Sequence, residues 1–126
     1  MTEFEKLLDT WIRSARSDLD TASLLVHEAR LIEGLFFCHL AIEKGLKAHV
    51  IRTSRNDPPL SEDLRGMLNL AYITLGEKDC ELLDVLMDCR REIGYPYHDF
   101  DEISADRAFD YLDRSRELLK WLEITL

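Results

Sequence analysis

The residue types best suited to chemistry lie between Arg90 and His98, where two adjacent arginines are followed, after a glycine and a proline, by a histidine. A guanidinium is permanently charged and can hold an anion, whereas an imidazole can accept or release a proton near neutral pH. A purely structural interpretation also stands. The helix dipole alone favours arginines in a last helical turn, and a loop histidine beside Asp99 can be an ordinary solvated residue.

The position of Arg91 on its helix predicts a second interface. The predicted helix has one apolar face, formed by Leu82, Leu86, Cys89 and Ile93. A second apolar stripe is formed by Cys80, Leu83 and Met87. Arg91 is aligned with this second stripe, about 180° from the first face. The arrangement predicts a homodimer in which two Arg91/His98 pairs meet near a two-fold axis. The alternative is that Leu83 and Met87 pack on another helix of the same chain.

The elements that must position these residues are all predicted to be helical, because apolar residues recur with the 3.6-residue period and no strand pattern competes. We expect helices at about 3–28, 35–52, 61–72, 78–93 and from about 105 onwards. Thr2 and Glu5 can form a capping box, and Ser104 can cap the last helix. The sequence therefore predicts an all-α, up-and-down bundle of four main helices plus a short one, in a single domain over residues 1–126.

The second predicted helix is apolar on most of its circumference, which is typical of a central helix. Gly34 is expected to mark a short break before it. A stripe of small residues allows another backbone to approach, and consists of Cys38, Ala41, Gly45 and Ala48. Glu43 and Lys47 are spaced for an i,i+4 pair on a solvated edge. We interpret His39 as an interior histidine with a satisfied hydrogen bond, because no potential co-ligand shares its spacing.

Composition excludes several classes of protein. The formal net charge of -9 argues against a broad cationic surface for duplex DNA. Hydrophobic residues make up 46% of the chain, enough for a core, yet no apolar run reaches the roughly 18 residues of a membrane span. The acidic first residues do not resemble a signal peptide, and three cysteines without a CxxC pair favour reduced thiols. We therefore expect a soluble cytoplasmic protein with no membrane contact and no structural metal.

Three segments resemble the HEPN family (higher eukaryotes and prokaryotes nucleotide-binding). They are the first-helix pattern Trp11, Ala15, Asp18-Leu19, Ala22; the run Phe37-Cys38-x-x-Ala41-x-Glu43-Lys44-x-Leu46-Lys47-Ala48; and the arginine and Tyr-Pro that end the fourth helix. The resemblance spans nearly the whole chain. It implies a four- to five-helix up-and-down bundle, usually a homodimer. Such proteins are often encoded beside a minimal nucleotidyltransferase in toxin–antitoxin pairs.

The resemblance also implies site residues. Active HEPN proteins are metal-independent RNases with an Arg-x(4–6)-His motif at the dimer interface. On this sequence the motif falls on Arg91 and His98, with six residues between them, whereas Arg90 would need seven. The expected catalytic residues are therefore Arg91 and His98, with Arg90 and Tyr97 as candidate substrate-binding residues and no cofactor.

Three functions remain compatible with the sequence. The first is a homodimeric RNase toxin. The second is a non-catalytic module that binds a nucleotide or a nucleotidyltransferase antitoxin, with the acidic run 99–102 able to dock a basic partner. The third is an oligomerisation scaffold. Two residues depart from family patterns: Glu92 follows Arg91 where active members tend to carry Asn, Asp or His, and Phe100 stands where one subgroup has a tyrosine that receives a nucleotide.

Overall fold

The computed structural model describes residues 1–96 and 100–126. These residues contain five helices. They are α1 (Glu3–His27), α2 (Leu31–Ser54), α3 (Leu64–Leu70), α4 (Glu77–Gly94) and α5 (Ala105–Ile124). These residues contain no strand, so the predicted all-α class is confirmed. No helix in the same two ranges is long and apolar enough to cross a membrane.

Two helix starts follow the predicted capping chemistry. At α1 the hydroxyl of Thr2 accepts a hydrogen bond from the Glu5 amide at 3.1 Å, and the Glu5 carboxylate accepts one from the Thr2 amide at 3.3 Å. At α5 the hydroxyl of Ser104 accepts a hydrogen bond from the amide of Arg107 at 3.2 Å. Each cap satisfies amides that have no carbonyl partner in the first turn of a helix.

The turn between α1 and α2 lies earlier than predicted. Ala29 adopts a left-handed conformation there, with φ of 62°, and α2 begins at Leu31 and continues through Gly34. The expected break at Gly34 was therefore wrong. A Cβ atom at Gly34 would lie 2.5 Å from Cγ2 of Val26, so this glycine allows α1 and α2 to approach closely.

α2 is the central helix and contacts each of the other four. The predicted small-residue stripe is buried throughout: Cys38, Ala41, Gly45 and Ala48. Gly45 lies directly beneath Leu119 and Leu122 of α5. Close packing along this stripe gives α2 a nearly continuous apolar environment, as its composition predicted.

α4 uses its second apolar stripe inside the protomer. Leu83 is fully buried and Met87 packs against the main core, whereas Ile93, expected in the core, is 41% exposed. The alternative in which Leu83 and Met87 pack within the chain is the correct one. The reason is that α4 is packed between α2, α3 and α5, so a stripe opposite its main face still meets neighbours. The homodimer remains a prediction that must rest on other grounds.

Candidate functional site

Arg91 lies in the last turn of α4 and points toward solvent. Its side chain is 54% exposed, and Nη2 lies 3.4 Å from Oδ1 of Asp88, one turn earlier. The helix ends just after it, where the amide of Tyr95 donates a hydrogen bond to the Arg91 carbonyl at 2.7 Å. An exposed arginine with one long ion pair is available to an anion at little cost.

His98 and Tyr97, the other two predicted residues of this segment, lie outside the described residues. The described chain stops at Pro96, which is exposed, and resumes at Phe100, which packs against the core. The catalytic pairing of Arg91 with His98 and the binding role of Tyr97 therefore stay predictions.

A cavity of about 450 Å³ opens beside Arg91, between α4 and the first turns of α5. From α4 it is lined by Val85, Asp88 and Arg91, and from α5 by Arg107 and Tyr111. Arg107 donates a hydrogen bond from Nη2 to the hydroxyl of Tyr111, a side chain that is almost fully buried. The cavity therefore has a cationic group on each of two helices and an aromatic wall.

The loop before α5 completes this cavity. Phe100 and Ile103 are half-buried and pack against the core. Asp101 and Glu102 are exposed, line the same cavity and make no hydrogen bond or ion pair with the described residues. With Asp88, three carboxylates line the cavity against two arginines. The lining is thus acidic on balance, which disfavours a run of several phosphates.

A smaller cavity, about 150 Å³, also borders Arg91. Its lining residues are His39, Glu62, Met87, Arg90 and Arg91. Arg91 is therefore shared by a cavity of nucleotide size and one with room only for a small group or a few water molecules.

Arg90 differs sharply from its neighbour because it is engaged in the fold. Its Nη2 lies 2.5 Å from Oε1 of Glu62, and its guanidinium carbon is 5.4 Å from the ring centroid of Phe36. The hydrogen bond from Arg90 lowers the pKa of Glu62. Only a quarter of the Arg90 side chain is exposed. These contacts hold the loop before α3 against α4, and the predicted substrate-binding role of Arg90 stays a prediction.

His39 is fully buried, as expected, but only one of its two ring nitrogens is hydrogen-bonded. Its Nε2 lies 3.1 Å from the backbone carbonyl of Glu62, and because a carbonyl can only accept, Nε2 carries the proton. Burial, with the nearby Arg90 charge, lowers the pKa of His39 from 6.5 to about 4. The ring is therefore neutral at physiological pH.

The Glu43/Lys47 pair forms as its spacing predicted, with Nζ 3.0 Å from Oε2, but the expected solvated edge was wrong. The Lys47 side chain is only 10% exposed and that of Glu43 14%. Oε1 of Glu43 faces Nδ1 of His39 at 3.5 Å. A buried polar cluster thus lies beneath the end of α4, where the sequence predicted only core and surface. The spacing of Glu43 and Lys47 predicted their ion pair. Nothing in the sequence predicted that the loop containing Glu62 would cover this cluster.

The described residues contain no cluster of side chains that could serve as metal ligands. No group of three or more His, Cys, Asp or Glu side chains in ranges 1–96 and 100–126 is arranged to hold a metal ion. The chemistry that the arrangement does offer is anion binding by Arg91 and Arg107, next to apolar and carboxylate groups.

The family model described as "HEPN domain" matches residues 8–125, nearly the whole chain. No curated protein matches the chain.

Proposed function

The chain belongs to the HEPN domain family, and from that premise we propose that it is a metal-independent endoribonuclease, the toxin of a toxin–antitoxin pair, acting as a homodimer through Arg91 and His98. One observation carries the proposal. Of the two adjacent arginines, Arg90 is engaged with Glu62, whereas Arg91 is exposed at the edge of a nucleotide-sized cavity. The arginine selected by the family spacing is also the one available to a phosphate.

The proposed reaction needs only a base, an acid and a charge clamp. The neutral imidazole of His98 takes the proton from a ribose 2′-hydroxyl, and the oxygen attacks the adjacent phosphorus. The bond from phosphorus to the 5′-oxygen breaks, leaving a 2′,3′-cyclic phosphate. The departing 5′-oxygen takes its proton from the second His98 of the dimer. Arg91 holds the phosphate oxygens as negative charge builds on them.

The test is cleavage of single-stranded RNA in EDTA. His98→Ala should lower the rate by at least about a hundred-fold, the contribution of a general acid–base group. The matched control is His27→Ala, which removes an exposed histidine of α1 and should leave the rate unchanged. Full activity in His98→Ala would refute the assignment of this residue.

The dimer has its own test. Light scattering should give a mass of twice the 14.7 kDa of one chain. The proposed reaction draws its base and its acid from different subunits, so activity should fall steeply when dilution separates them. An active monomer would contradict the dimeric site.

A non-catalytic module is the second candidate, and the acidic cavity lining favours it. Asp101 and Glu102 are exposed and unpaired within the described chain, so they could dock a basic surface of a nucleotidyltransferase antitoxin. This function predicts co-purification with the product of a neighbouring gene, and no RNA turnover. A nucleotide held at the arginine turn would instead raise the melting temperature.

A further inference from the structure

The larger cavity has the size and walls of a nucleoside site. Its volume of about 450 Å³ falls within the range of roughly 300–1,000 Å³ that small-molecule sites occupy. Phe100 and Tyr111 give it two aromatic side chains, and Val85 and Ile103 add apolar surface. Arg91 lies at its edge, so a phosphate held there would place an attached nucleoside next to these walls.

The charged groups that line the cavity differ in whether they already have a partner in the protein. Asp88 lies beside Arg91, and Arg107 donates to Tyr111. Asp101 and Glu102 have no such partner among the described residues, and carboxylates can only accept hydrogen bonds at neutral pH. A ligand group that contacts them must therefore donate hydrogen bonds through N–H or O–H, and a second phosphate would be repelled.

The nucleobases differ in how well they meet this requirement. Guanine presents N1–H and the N2 amino group side by side, so it offers two adjacent donors to neighbouring carboxylate oxygens. Adenine and cytosine place a ring acceptor beside their amino group, and uracil places its single N–H between two carbonyls. In those three bases an acceptor faces the carboxylate and repels it.

We propose that the cavity between α4 and α5 is a guanine-selective base subsite, in which Asp101 and Glu102 accept the N1–H and N2 amino hydrogens, and Phe100 packs on the base. The proposal rests on the proposed function for the role of Arg91 as the phosphate ligand. It assigns a sequence preference to the enzyme: cleavage occurs next to guanosine. It also accounts for the acidic lining, which serves the base and not the phosphate chain.

The test is calorimetric titration of the full-length protein with three nucleotides, the 3′-monophosphates of guanosine, inosine and uridine. Inosine lacks only the N2 amino group. Guanosine monophosphate should bind at least about ten-fold more tightly than either of the others, a factor within the range for a bidentate base contact. Equal affinities for the guanosine and inosine nucleotides would overturn the proposal.

Variants of the cavity residues test whether Asp101 and Glu102 cause the preference for guanosine. Asp101→Asn and Glu102→Gln, made singly and together, should reduce the preference for guanosine over inosine to less than about two-fold in the double variant. Asp106→Asn, which removes a nearby carboxylate of α5 that does not line the cavity, should preserve it. Phe100→Leu keeps an apolar side chain but removes the aromatic ring, so it should weaken the binding of all three nucleotides by a similar factor. A guanosine preference that survives in the double variant would refute the assignment of these carboxylates.

RNA cleavage separates this proposal from the proposed function. Cleavage next to guanosine supports both proposals, whereas cleavage without base preference keeps the RNase and refutes the base subsite. Selective guanosine binding without any cleavage keeps the subsite and refutes the RNase.

Discussion

The backbone carbonyl of Glu62 accepts a hydrogen bond from Nε2 of His39 at 3.1 Å, which ties the loop before α3 to the buried centre of α2. The carboxylate of the same Glu62 pairs with Arg90 of α4. One loop residue is therefore held by two helices, through its main chain and its side chain. These three residues line the smaller cavity of about 150 Å³, and the neighbouring Arg91 lines it too.

The two contacts of Glu62 should differ in strength. His39→Ala leaves a cavity and an unpaired buried carbonyl, and should lower the free energy of unfolding by about 2–4 kcal/mol. Glu62→Gln keeps the carbonyl and removes only an exposed carboxylate, so its cost should stay below about 1 kcal/mol. Urea unfolding of both variants measures the difference. Equal losses would show that the side-chain pair matters as much as the buried hydrogen bond.

Acid should destabilise the fold through its buried histidines. The pKa of His39 falls from 6.5 to about 4 in the folded chain, and burial also lowers that of His49. The unfolded chain therefore binds these protons more tightly than the folded chain. The stability that neutral His39 contributes is complete above about pH 6.5 and is lost as the pH falls toward 4, and the contribution of His49 is lost in the same direction. For His39 alone the loss between about pH 7 and pH 4.5 is on the order of 2 kcal/mol.

Chemical denaturation across this range tests the histidine effect. In His39→Gln the decline between about pH 7 and pH 4.5 should be visibly shallower, because one of the two titrating rings is gone. Glu62 and Asp84 also have lowered pKa values, set mainly by hydrogen bonds from Arg90 and Arg65, but their contributions disappear at lower pH. An unchanged slope in the variant would contradict the buried, neutral state of His39.

Two glycines in helices should respond oppositely to alanine. At Gly34 a Cβ atom would meet Val26 at 2.5 Å and the backbone oxygen of Ala22 at 3.1 Å, so Gly34→Ala should cost about 1–3 kcal/mol. At Gly94 nothing lies within 4 Å of a new Cβ, and φ is not positive. Gly94→Ala should therefore stabilise by about 0.5 kcal/mol. Thermal melts compare the pair, and a neutral Gly34→Ala would refute the tight α1–α2 contact.

The three thiols should react at very different rates. Burial raises the pKa of Cys38 and of Cys89 to about 12, so neither forms an accessible thiolate in the native state. Cys80 is half-buried, with Sγ directed to the carbonyl of Leu75. Alkylation of the native protein should modify Cys80 first, and the other two only after unfolding. Cys80→Ser should remove the fast phase of alkylation. A fast phase that remained would contradict the burial of the Cys38 and Cys89 thiols.

Much of the fold could be predicted because its signals are local. The capping residues Thr2 and Ser104, and the apolar period of α1 and α5, depend on neighbours within one or two turns. Gly34 could not be interpreted from the sequence. A glycine marks both turns and close helix approaches, and only the position of Val26 on α1 distinguishes them.

The candidate site was predicted less completely, because it depends on packing between distant segments. The exposure of Arg91 agrees with its position on the helical wheel, yet Leu83 on the same side is fully buried by neighbouring helices. The burial of Glu43 and Lys47 follows from the environment around α2. Nothing in the local sequence of α2 encodes the loop that reaches His39 through Glu62.

The two adjacent arginines should separate stability from activity. Arg91 is exposed with one 3.4 Å ion pair, so Arg91→Gln should leave the free energy of unfolding within about 0.5 kcal/mol of the parent. If Arg91 holds the phosphate, the same change should lower RNA cleavage by about 10²–10³-fold. Arg90→Gln removes the ion pair to Glu62 and the contact with Phe36. It should cost about 1–3 kcal/mol of stability.

Paired measurements of urea unfolding and RNA cleavage on both variants decide between the roles. For Arg90→Gln the cleavage rate should be compared at a temperature where the folded fraction is complete, so that lost stability is not mistaken for lost catalysis. There, Arg90→Gln should retain most activity and Arg91→Gln very little. Arg91→Lys keeps the charge but loses the bidentate geometry, and should fall between Arg91→Gln and the parent. The reverse pattern, with activity lost in Arg90→Gln and kept in Arg91→Gln, would transfer the phosphate-binding role to Arg90 and exclude the six-residue spacing to His98.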